Sequence, residues 1–130
     1  MLSNHTHSSS VGSLWLNCES DVVAHLFFAA AEIGTVTIQI GGEEVEGILT
    51  FPETETRRVV LEIDESSLVV PFRPLPGAVV RVCYCHGQSK YEWLTSVVEV
   101  GTTRRWVVGY PATIQRSQRR IVDRHRVLGR

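Results

Sequence analysis

Apolar and polar residues change their period once along this chain, and that change sets the fold reading. Val22, Val23, Leu26, Phe27 and Ala30 recur at helical spacing, with Ser20 and Asp21 suited to cap the start and Gly34 suited to stop the end. This predicts an amphipathic helix over 21–33. From residue 35 the period becomes two: Val36, Ile38 and Ile40 alternate with Thr35, Thr37 and Gln39. Gly41-Gly42 signals a hairpin into a second strand, with Val45, Leu49 and Phe51 on its inner face and Glu44 and Glu46 on its outer face. A third strand is expected at about 57–63, facing inward through Val59, Leu61 and Ile63. Three prolines, Pro71, Pro74 and Pro76, mark an irregular connection. A fourth strand over roughly 78–86, a turn at Gly87-Gln88, a fifth over about 89–100 and a sixth over about 104–110 follow, with Pro111 closing the set.

Six short strands with tight turns and one helix predict a mainly β domain, a six-stranded antiparallel (split) β-barrel with one N-terminal helix and a flexible basic C-terminal tail. Closure is favoured because it removes exposed strand edges. The division expected is a disordered leader at 1–18, the barrel domain at 19–111 and a basic linker or tail at 112–130. In the last stretch only Ile114, Ile121, Val122, Val127 and Leu128 are sizeable apolar side chains. That is too little to bury a helix of its own, so an extended or frayed segment that orders only on a partner is expected.

The chain has 130 residues, room for one core, and 43% of them are hydrophobic, which argues against global disorder. Its formal charge of −1 hides a split. Residues 1–115 hold thirteen acidic and seven basic side chains, a net of −6, whereas 116–130 hold six arginines and one aspartate, a net of +5. Such a basic end suggests an anionic partner. Arginine supplies all the basic residues but Lys90, and its planar guanidinium grips phosphate oxygens in a way that an ammonium does not. The acidic body disfavours nucleic acid as that partner. Three cysteines, an odd number, with no secretory signal and no long apolar run predict a cytoplasmic chain without membrane insertion.

The order of elements, the phrase LEIDESS after a strand, the hairpin VVRVCYCHGQSKYEWLTSVVEV, the strand ending VVGYP and the following IQRSQRR with a further arginine resemble the N-terminal module of flagellar-brake (YcgR-like) members of the PilZ family. The resemblance covers roughly residues 19–127. It implies a β-barrel regulatory module, not an enzyme, whose RxxxR linker wraps cyclic di-GMP. The matching residues are Gln118, Arg119, Arg120 and Arg124, with Arg120 and Arg124 as the RxxxR pair and Arg116 and Arg120 as a second pair at the same spacing. The nucleotide-binding residues expected are therefore Arg116, Arg119, Arg120 and Arg124. The partners expected are cyclic di-GMP and a protein, either a flagellar motor component or a PilZ-domain protein. The family's second motif, [DN]xSxxG, belongs to a barrel after the linker. Here Asp64 and Ser66 come before the arginines, and Val69 stands in place of the glycine.

Other constellations point to weaker alternatives. Cys83, Cys85 and His86 lack the usual zinc-ligand spacing, so no metal site is expected, and no resident cofactor. His5 and His7 sit in the leader, and His125 stands among arginines. Tyr91, Trp93 and Trp106 read as cross-strand packing, with base stacking as the alternative. No nucleophile–base set, P-loop or GxSxG occurs. The remaining readings are a nucleotide-independent protein-interaction domain, a small nucleic-acid-binding barrel and, last, a flavin-dependent split barrel.

Overall fold

The computed structural model describes residues 13–67, 73–102 and 104–118. Its elements in chain order are β1 (Ser13–Leu16), α1 (Glu19–Glu32), β2 (Thr35–Ile40), β3 (Glu43–Leu49), β4 (Arg58–Ile63), a 3₁₀ turn (Glu65–Ser67), β5 (Val79–His86), β6 (Ser89–Thr102), β7 (Arg105–Gly109) and β8 (Ile114–Gln118). The helix begins two residues before its expected start, with Cys18 at the N-cap, and Gly34 ends it at φ 75° while donating its N–H to Ala29 O at 2.9 Å. Both hairpin glycines, Gly41 and Gly42, have positive φ (53° and 86°), which joins β2 to β3 through a turn that side chains disfavour.

All pairings are antiparallel, in the order β1-β8-β6-β5-β2-β3-β4-β7. A further pairing of β6 with β7 closes β2 to β7 into a six-stranded barrel. β6 makes closure possible. Its first half, Ser89–Glu92, pairs with β8, and its second half, Val97–Thr102, pairs with β7 through two bulges. β7 and β8 thus run along one edge of β6 in succession, interrupted at Tyr110–Thr113. Pro111, which cannot donate to a ladder, stands in that interruption.

Two parts of the chain differ from expectation. The leader expected to be disordered over 1–18 forms β1 in its last part, and the tail, expected to order only on a partner, is at Ile114–Gln118 a strand held within the chain between β1 and β6. Phe51 was expected to face inward. It is 58% exposed, because β3 ends at Leu49 and Thr50 turns its N–H and hydroxyl to Val60 O. Its ring lies 6.1 Å from that of Phe27 on the helix.

The core gathers Val36, Ile38, Val45, Leu49, Val59, Leu61, Val80, Val82, Trp93, Trp106 and Ile114 from the strands, with Val22, Leu26 and Ala29 from α1. Gly47 is buried on the inner face of β3, where glycine is required by space rather than by dihedral angle. A Cβ there would lie 2.8 Å from Glu62 O and 3.1 Å from Ile38 Cδ1. Gly47→Ala is therefore expected to lower stability by about 1–3 kcal/mol, the usual cost of overpacking, as a fall in the denaturation midpoint without a change in slope.

Among the described residues, one polar or charged residue is buried with this core. His25 on α1 is buried, and its Nε2 lies 2.9 Å from the Tyr84 hydroxyl on β5, which also receives the Trp93 Nε1–H from β6 at 2.8 Å. The tryptophan can only donate, so the tyrosine oxygen accepts from it. The hydroxyl proton is used within the trio when it goes to His25 Nε2, the arrangement in which neutral His25 carries its own proton on Nδ1. Burial lowers the His25 pKa to about 4 and raises that of Tyr84. Between the ordinary histidine value of about 6.5 and this lowered value, the unfolded chain binds the proton and the folded chain does not. Stability should hence be unaffected by His25 above about pH 6.5 and fall as pH drops toward 4, by up to about 3 kcal/mol. Urea melts across this range, compared with those of His25→Phe, check it: the slope attributable to His25 should vanish in the variant.

Candidate functional site

The basic segment leaves the barrel through β8. Its register places Ile114, Arg116 and Gln118 on the inner face and Gln115 and Ser117 on the outer face, since successive side chains alternate. Arg116 lies opposite Tyr91 of β6 and Leu14 of β1, and Tyr91 in turn lies opposite Tyr84 of β5. Tyr84, Tyr91, Arg116 and Leu14 thus form one row, continuous with the buried His25 cluster: the His25 ring is centred 4.4 Å from that of Tyr91. Arg116 is half-buried, and its Nε is shut off from solvent without a hydrogen-bond partner. The ladder that seats β8 therefore holds the aliphatic stem of this arginine and leaves part of its guanidinium without an acceptor.

Gln118, the last residue of β8, pairs with Ser89 at the base of the β5–β6 hairpin, and Ser117 pairs with Lys90. The hairpin presents exposed His86, whose ring stands edge-on to Phe28 at 5.1 Å, and exposed Lys90, whose amine lies 4.0 Å from Glu92. Of the four arginines expected to bind nucleotide, Arg116 is placed in this way. Arg119, Arg120 and Arg124 lie outside the described residues, as does His125. No feature of the sequence signalled that Arg116 belongs to a strand.

The other constellations resolve locally. Asp64 and Ser66 form a turn, with Ser66 donating its N–H and its hydroxyl to Asp64 Oδ1 at 3.0 and 2.6 Å, which lowers the Asp64 pKa. Ser67 donates to Asp64 O and accepts the Glu46 N–H, tying the 3₁₀ turn to β3. This accounts for the near match to the second motif by a structural role; Val69 lies outside the described residues. Cys83 is half-buried, and burial raises its thiol pKa, while Cys85 and His86 are exposed. Among the described residues no three His, Cys, Asp or Glu side chains converge as metal ligands would. Trp93 and Trp106 are 3% and 0% exposed, so neither offers a face to a base. A recess of about 840 Å³ lies elsewhere, over β3, β4 and β7, and its rim mixes Glu46, Glu62 and Asp64 with Arg104 and Arg105. Three carboxylates make it a poor seat for a phosphate. No helix in the described residues is long and apolar enough to cross a membrane.

No protein-family model matches this sequence, and no curated protein is significantly similar to it. Solved structures are similar in fold. MrkH of K. pneumonia in complex with c-di-GMP superposes with a TM-score of 0.63 at 13% identity, over 82% of this chain and 44% of MrkH. YcgR of Escherichia coli in complex with c-di-GMP gives 0.61 at 15% identity, over 89% of this chain and 50% of YcgR. This chain thus spans no more than half the length of either. The isolated YcgR-N domain gives 0.59 at 13% identity, over 78% of this chain and 93% of that domain. The closed six-stranded barrel with its single helix has the fold of the N-terminal domain of YcgR.

Proposed function

We propose that this chain is a regulatory binding module of cyclic di-GMP signalling, in which Arg116, Arg119, Arg120 and Arg124 supply part of the nucleotide site and the barrel meets a protein partner. The carrying observation is β8: a ladder on both sides fixes the start of the arginine run, and the half-buried Arg116 within it has an Nε without a partner. The similarity to YcgR and MrkH, both solved as complexes with c-di-GMP, supports the choice of ligand. The chemistry agrees, since two phosphates call for planar charged donors. A flagellar motor component or a PilZ-domain protein is the partner this reading favours, acting in a cytoplasmic motility brake. It is a binding role rather than an enzymatic one.

The arginines act as half of a site. A hydrogen bond to a charged group contributes about 1.5–3 kcal/mol, so the RxxxR pair gives roughly 3–6 kcal/mol before any ordering cost of about 2–5 kcal/mol, against about 8 kcal/mol for micromolar affinity. A second surface of the [DN]xSxxG kind is needed to hold the guanine bases.

Calorimetric titration of this chain with cyclic di-GMP is expected to give binding weaker than about 10 μM. Arg120→Ala and Arg124→Ala should each abolish it, Arg119→Ala should weaken it less, and Arg57→Ala, which removes a salt bridge to Glu19 on the barrel surface, should leave it unchanged. Submicromolar binding would mean that the barrel supplies the missing surface. Undiminished binding by both Arg120→Ala and Arg124→Ala would reject the assignment of these arginines.

A further inference from the structure

On the outer face of the sheet, where β5, β6, β8 and β1 lie side by side, a recess of about 360 Å³ is lined by Trp15, Arg81, Glu92, Leu94, Thr113 and Gln115. Trp15 pairs with Gln115, and Gln115 with Glu92. The indole and the carboxylate therefore stand two strand spacings apart, about 10 Å, across the half-buried Gln115. Arg81 of β5 and Leu94 of β6 are opposite each other in the register and supply the next row. Since β8 turns Arg116 to the inner face, this recess is on the other side of the strand from it.

The lining has the two parts that a planar heterocycle needs. Trp15 is 56% exposed and Leu94 55%, so an open aromatic face stands beside an apolar neighbour, where Trp93 and Trp106 offer none. Bases stack on such a face through their own π-surfaces. The polar part is an ion pair. Arg81 Nη1 donates to Glu92 Oε2 at 2.5 Å, a bond that uses one of the five guanidinium N–H groups. The other oxygen, Glu92 Oε1, lies 4.0 Å from the Lys90 amine, beyond hydrogen-bond reach. The pair thus sets charged donors directly beside a charged acceptor.

We propose that this recess binds a guanine base, with Trp15 as the stacking face and the Arg81–Glu92 pair as the reader of the base edge. Guanine carries an acceptor, O6, next to two donors, N1–H and the N2 amine. The guanidinium suits O6 with its neighbour N7, and the carboxylate suits N1–H and the amine, so adjacent groups of the protein meet adjacent groups of the base. Adenine has no hydrogen at N1 and no amine at C2, and it gives the carboxylate less to accept. A pyrimidine covers less of Trp15. The ligand class is a guanine nucleoside or nucleotide recognised through its base. The inference is independent of the arginine run, because the recess lies on the opposite face of β8 from Arg116 and none of the contacts it makes needs a phosphate.

Titration of the full chain with guanosine should quench tryptophan emission saturably, since Trp15 is the exposed one of the three indoles. Guanosine monophosphate should bind about as well as guanosine. Inosine, which lacks the N2 amine, should bind more weakly, and adenosine more weakly still. By calorimetry, Trp15→Ala and Glu92→Gln should each weaken guanosine binding roughly tenfold or more, with the far-ultraviolet circular dichroism of the parent retained. Glu92→Gln, which keeps the Trp15 reporter, should also bring guanosine and inosine closer together. Arg120→Ala should leave guanosine binding unchanged, so failure of the arginine reading and failure of this one are told apart. The proposal is overturned if guanosine gives no saturable quenching, if adenosine binds as tightly, if the monophosphate binds where guanosine does not, or if either Trp15→Ala or Glu92→Gln binds like the parent.

Discussion

The backbone pairing of β6 is the constraint on which the rest of the molecule depends. One fourteen-residue strand gives one edge to β5 and divides the other between β8 and β7. The division falls where the returning chain reaches Pro111, so β7 and β8 read as one strand broken by a proline. Above the break β7 takes β4 as its second neighbour and the barrel closes. Below it β8 takes β1 and the sheet splays outward. The register that closes the core is therefore also the register that points Arg116 inward. A slip of one residue would turn Arg116 to the outer face and Ser117 toward Tyr91.

The helix is tied to the same row by polar chemistry. His25, Tyr84 and Trp93 come from α1, β5 and β6, and a buried polar group is tolerated only when its bonds are satisfied. Tyr84 satisfies both neighbours because a hydroxyl donates once and accepts as well. Apolar packing alone would leave α1 freer to rotate about its axis. The hydrogen bond from β5 fixes the face that it turns toward Tyr91, and so the wall beside Arg116.

Much of the barrel was legible in the sequence because half-buried strands impose a period of two. Val36, Ile38 and Ile40 face the core, Glu44 and Glu46 face water, and Cys83 lies on the outer face opposite Tyr84. β1 and β8 were not legible, for two physical reasons. Past Ile114 the second runs Gln-Arg-Ser-Gln, all half-buried, so hydropathy does not alternate. Their pairing joins residues about a hundred positions apart, which no local window samples. The arginine spacing could be read as chemistry, but the seat of Arg116 could not, because it follows from this long-range pairing. No local pattern marks His25 as part of the core, and only the fold brings it to Tyr84.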